Sequence, residues 1–152
     1  MDDTALAIMK MSGSSLCCSQ ILIKLALDDM GLENPMLIRA MAGLCEGLGC
    51  GEICGVATGG LCVLALYAAG DSETPPLERH GAPMLPLLSA QFMDWFQEQG
   101  ATAWGGFRCD DILAHHGGKR PEVCVGIMRE ARQYLLGLLA EHELDPTLAR
   151  SE

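Results

Sequence analysis

Eight cysteines stand at positions 17, 18, 45, 50, 54, 62, 109 and 124, and a thiolate is both a nucleophile and a ligand for soft metals. Cys18, Cys54, Cys109 and Cys124 each fall in or beside the first turn of a helix that the sequence predicts. A helix amino end carries partial positive charge and unpaired N–H donors, which favour thiolate over thiol. Each of the four also begins an apolar face: Cys18 with Ile21 and Leu22, Cys54 with Leu61 and Cys62, Cys109 with Ile112 and Leu113, Cys124 with Ile127 and Met128. Their sulfurs are therefore placed to converge in a core.

Two chemistries suit such a set. In the first, a thiol-based oxidoreductase or electron-transfer protein, Cys54 is the attacking thiol because a glycine loop and a helix start leave its sulfur approachable, and Cys109 and Cys124 resolve the disulfide. In the second, Cys18, Cys54, Cys109 and Cys124 are thiolate ligands of an iron–sulfur cluster or another metal ion, with Cys50 and Cys62 as lesser candidates. The spacing matches neither the Cys-x-x-Cys pairs of zinc ribbons nor a ferredoxin run, so the residues leave the cofactor unknown. Cys62, between Leu61 and Val63, reads as packing. A third reading, a structural helical interaction protein, applies if the sulfurs are scattered.

The other candidates are better explained by structure. His115 and His116 are adjacent, hence about 100° apart on a helix, and suit the capping of a helix end before Gly117-Gly118 rather than a shared ion. Arg108, Lys119, Arg120, Arg129 and Arg132 surround Cys109 and Cys124, but interleave with Asp110, Asp111, Glu122 and Glu130 as a solvated face does. Met9, Met11, Met30, Met36, Met41, Met84, Met93 and Met128 sit where they can fill a core. No nucleotide loop, Ser/His/Asp ordering, zinc-protease motif or paired-carboxylate signature is present.

The elements that must position the cysteines are helices. Ser14 and Ser15 can cap one that runs to about Met30, where Gly31 stops it. Asn34-Pro35 opens a shorter one to about Leu44. A loop with glycine at 43, 47, 49, 51 and 55 feeds the uncharged segment Ile53 to Gly70, expected as a central apolar helix. Asp71 to Pro86 carries four prolines and reads as an irregular crossing. Helices over about Leu87 to Glu98, Cys109 to His115 and from Pro121 onward complete the chain. No run alternates apolar and polar residues over strand length. The expectation is an all-α single domain over residues 1–152, core about 14–142, forming a compact bundle of five or six helices.

Composition narrows the function further. Hydrophobic residues make up 49% and aromatic residues only 5%, so the core is expected to be Leu, Met, Ala and Cys. A formal charge of −10 opposes nucleic acid and anionic membrane surfaces. The acidic start lacks the basic region of a secretory signal, and Ile53 to Gly70 is glycine-broken and without flanking Lys/Arg, so no membrane span is expected. The expected location is cytoplasmic, where eight cysteines should not form a structural disulfide framework.

In order along the chain, Cys18-Ser-Gln-Ile-Leu, then Gly51-Glu-Ile-Cys54-Gly-Val-Ala-Thr-Gly-Gly60, then Phe107-Arg-Cys109-Asp-Asp-Ile-Leu, then Cys124-Val-Gly-Ile-Met-Arg-Glu-Ala131 resemble the C_GCAxxG_C_C family of cysteine-rich, all-helical bacterial proteins. The central motif departs from the family's letters: Cys54 is preceded by Ile53 and followed by Gly55, giving Cys-Gly-x-x-Thr-Gly. The resemblance implies a small redox-active helical protein whose characteristic cysteines are Cys18, Cys54, Cys109 and Cys124. Its partner would be a redox protein or a small-molecule electron donor or acceptor. The oligomeric state is left open.

Overall fold

The structure, a computed structural model, describes residues 2–69, 84–118 and 120–148. Asp2 begins the first helix by accepting from the Ala5 N–H at 2.7 Å, and α1 (Asp3–Gly13) buries Ala5 and Ile8 on one side. A turn at Ser14 and Ser15 then leads into α2 (Cys18–Met30), whose amino end is held by Gln20: its side-chain carbonyl accepts from the Cys17 N–H and its amide donates to Ile38. Gly31, in the left-handed region, stops α2. Asn34 caps α3 (Pro35–Met41), which tightens into a 3-10 turn over Ala42–Leu44.

After the glycine loop come α4 (Gly55–Ala68), α5 (Met84–Gln99), α6 (Cys109–His115) and α7 (Arg120–Glu141). Helix α4 packs against α2, α5 and α7, and α1 lies on α7. Gly59 permits the α2–α4 approach, since a Cβ there would lie 2.8 Å from the Ser19 Cα. Buried residues from α1 through α7 join one hydrophobic cluster.

All-α architecture is what the helical periodicity implied, and the described residues contain no strand, only an isolated antiparallel bridge between Ile53 and Arg108. The count is seven α-helices among the described residues rather than five or six. The added one is α1, because Ser14 ends that helix instead of beginning the next. Its signal was the Asp2 cap followed by Ala5 and Ile8 at helical spacing. The crossing expected over Asp71 to Pro86 lies outside the described residues as far as residue 83, and Pro86 already sits in α5.

The core is also more aromatic than composition suggested. Phe92, Trp95, Phe96, Trp104 and Tyr134, five of the chain's seven aromatic residues, gather between α5, the turn at Gly100–Trp104 and α7. Trp95 and Tyr134 stack with centroids 4.4 Å apart. Met41 and Met128 fill the core as expected, whereas Met9 and Met36 are exposed. No helix among the described residues is long and apolar enough to cross a membrane.

Candidate functional site

Two short extended segments meet at the amino ends of α4 and α6. The Cys54 N–H donates to the Phe107 carbonyl at 2.9 Å and the Cys109 N–H donates to the Glu52 carbonyl at 2.7 Å, on either side of the Ile53–Arg108 bridge. The Arg108 guanidinium closes the same junction by pairing with both Glu52 carboxylate oxygens, at 2.8 and 3.1 Å. These bonds bring Cys54, the residue before α4, beside Cys109, the first residue of α6, although 55 positions separate them in sequence. Gly47 shapes the floor of the junction: its φ of +62° suits glycine, and a Cβ there would press on the Glu52 backbone and sit 2.9 Å from the Cys109 Cβ.

Cys18 arrives from α2. A Cβ on Gly55 would lie 2.8 Å from the Cys18 Sγ, so the missing side chain is what lets this sulfur settle on the amino end of α4. Cys124 arrives from α7 and shares the wall of a cavity of about 220 Å³ with Cys17 and Cys18. The four cysteines singled out in the sequence are thus brought together. Negative charge on Cys18, Cys124 or Cys109 each acts on Cys54.

Cys54 itself does not match its expected character. It is 7% exposed, and burial, reinforced by the charges of Cys18, Cys124 and Cys109, pushes its thiol up from 9.0 to about 12; the Val56 N–H pulls the other way and loses. The expectation of a low-pKa, approachable Cys54 is therefore corrected. The glycine loop does not open over its sulfur, and at neutral pH Cys54 is a thiol.

The remaining sequence candidates separate clearly. Cys50 is exposed, with its thiol directed to the Gly47 carbonyl at 3.6 Å. Cys62 packs half-buried against the core, and burial pushes its thiol up. Among the described residues, no three His, Cys, Asp or Glu side chains are arranged to hold a metal ion. His116 does cap a helix end, its Nδ1 lying 2.9 Å from the Ile112 carbonyl. Arg108 and Arg129 pair with Glu52 and Asp2 on a solvated face, whereas Arg132 pairs with Asp29 in a partly buried position. Lys119 and the side chain of Arg120 lie outside the described residues.

Sequence reasoning missed a disulfide. Cys17, the residue before α2, is bonded to Cys45, just after the 3-10 turn, with Cα atoms 6.0 Å apart. The expectation that the cysteines form no structural disulfide framework is corrected for this pair: α2 and α3 fold against each other and bring the two Cα atoms within disulfide range. Ser19, fully buried, places its hydroxyl between the two sulfurs and the Met41 carbonyl. Only the adjacency of Cys17 to Cys18 hinted at this in the sequence.

A helical fold that gathers cysteines from three helix starts and from the second turn of a fourth helix defines a class of small cysteine-centred α proteins. Residues 16–137 match the family described as "Putative redox-active protein (C_GCAxxG_C_C)", and the chain belongs to that family. No curated protein and no solved structure matches it.

Proposed function

We propose that the protein is a thiol-based redox protein in which Cys18, Cys54, Cys109 and Cys124 cycle between thiols and a disulfide. The observation that carries this reading is geometric: Cys18 lies against the amino end of α4 beside Cys54, the Glu52–Arg108 junction holds Cys109 there, and Cys124 shares a cavity wall with Cys18. Sulfurs gathered this closely from separate helices can give up electrons in pairs by joining as a disulfide. Formation of the S–S bond releases two protons and two electrons, which pass to a redox partner protein or a small-molecule acceptor. Cys18 and Cys124, which border the cavity, are the sulfurs that such a reagent meets first. Cys54 is the buried partner within their reach, and Cys109 the fourth member held beside it by the Glu52–Arg108 junction.

The chain acts as a single cytoplasmic domain built around α4 in this reading. The deciding experiment is mild oxidation of the purified protein followed by peptide mass spectrometry. A disulfide joining two of Cys18, Cys54, Cys109 and Cys124 is expected. If none forms at any potential tested, the cysteines are packing residues. Purification without oxygen, with metal and sulfide analysis, separates this reading from its rival, since stoichiometric iron and sulfide would show the same four cysteines to be cluster ligands.

A further inference from the structure

We propose that the Cys17–Cys45 disulfide is a second thiol-exchange site, opening on the same cavity as Cys18 and Cys124, at which a small thiol attacks Cys17 and releases Cys45. The cavity of about 220 Å³ is lined by Ser12, Ser15, Cys17, Cys18, Glu46 and Cys124 among apolar residues, and of the two bonded cysteines Cys17 lines it and Cys45 does not. An incoming thiolate therefore meets one sulfur of the pair, and exchange proceeds through the sulfur that is attacked, with the other as leaving group.

The leaving sulfur has a prepared surrounding. In the disulfide neither sulfur carries a proton, so the single Ser19 hydroxyl proton goes to the Met41 carbonyl at 2.8 Å, while the Ser19 oxygen lies 3.2 Å from the Cys45 Sγ. When the S–S bond breaks and Cys45 departs as a thiolate, that proton can turn to it. Once Cys45 is protonated, its thiol faces the same Met41 carbonyl, 3.8 Å away. Ser19 and the Met41 carbonyl thus have a hydrogen-bond partner in both redox states, and the Cys45 sulfur gains one when it is released.

The chemistry balances with the thiol alone. One thiolate forms a bond to the Cys17 sulfur, and the Cys17–Cys45 bond breaks to free the Cys45 thiolate. A second thiolate then attacks the mixed disulfide and frees Cys17. Two thiols are oxidised to one external disulfide, the protein disulfide takes two electrons, and the two protons lost by the reagents end on Cys17 and Cys45.

The test uses the whole chain. The protein is exposed briefly to 2-mercaptoethanol, quenched with acid, alkylated, and mapped by fragmentation mass spectrometry that separates Cys17 from Cys18. The adduct is expected on Cys17, with Cys45 appearing as an alkylatable thiol; an adduct on Cys45, or resistance of the bond until the protein is denatured, overturns the site. Ser19→Ala should slow the release of Cys45 about tenfold, as for loss of a hydrogen bond to a charged group, and an unchanged rate in a variant with native circular dichroism refutes the role of Ser19. Because these readouts follow Cys17 and Cys45, their failure leaves the four-cysteine reading intact, and the converse also holds.

Discussion

Cys54 should be among the least reactive thiols of the folded protein, and its reactivity should depend on pH in a way that reveals the cause. With its thiol pushed from 9.0 to about 12, the thiolate fraction at pH 8 falls from about 10⁻¹ in the unfolded chain to about 10⁻⁴ in the folded one. Since the thiolate is the species that alkylates, native Cys54 should react with iodoacetamide about a thousandfold more slowly than Cys54 in denaturant. Burial can only add to that protection. Global unfolding does not mask it, because a stability of about 5 kcal/mol exposes the residue only about 10⁻⁴ of the time. The rate is read by mass spectrometry of the Cys54 peptide between pH 8 and 10. In the native protein it should climb tenfold per pH unit throughout, whereas the unfolded rate levels near 9. Cys18→Ser removes the largest charge acting on Cys54 and should speed its alkylation. A native rate within tenfold of the unfolded one at pH 8, or a plateau near pH 9, would refute the burial-and-charge argument. The sign for stability follows the same shift: the contribution of a neutral Cys54 is complete below 9, and is lost as pH rises toward 12.

Two further outcomes test the frame around the site. Gly59→Ala puts a Cβ 2.8 Å from the Ser19 Cα and 3.0 Å from its Cβ, so it should destabilise the protein by about 1–3 kcal/mol in urea, as overpacking does; an unchanged midpoint would mean that α2 and α4 can part at little cost. Arg108→Ala should leave the urea midpoint nearly unchanged, because its pair with Glu52 is exposed, yet alter the rate at which Cys109 forms disulfides. Arg108 holds the Glu52 carboxyl below its ordinary 4.5. The pair's influence is therefore present above that value and fades as pH falls through the lowered one, which should appear as an acid-side difference in Cys109 reactivity between the two proteins.

The fold class was legible because its signals are local. Asn34-Pro35 opens α3, Gly31 stops α2, and Cys109 begins α6 at the residue expected, since caps and stops depend on a few neighbouring dihedrals and hydrogen bonds. Ser14 misled for the same local reason: a serine that can begin a helix can also end one, and only the packing of Ala5 and Ile8 against α7 decides between them. The four cysteines were likewise identifiable: Cys18, Cys54 and Cys109 stand at helix starts, Cys124 lies one turn into α7, and each has an apolar stripe beneath it.

What the sequence alone determined is therefore the set of helices and the candidate sulfurs on them. Tertiary structure decided what those sulfurs are. Cys54 became a buried thiol instead of an approachable nucleophile because its neighbours are Cys18, Cys109 and Cys124 rather than solvent, and the desolvation and repulsion that result are sums over residues remote in the chain. Cys17 joined Cys45 because α2 and α3 cross at one particular distance, which no local rule sets. Periodicity selects the face a residue occupies, but the partner it meets on that face depends on how the helices pack.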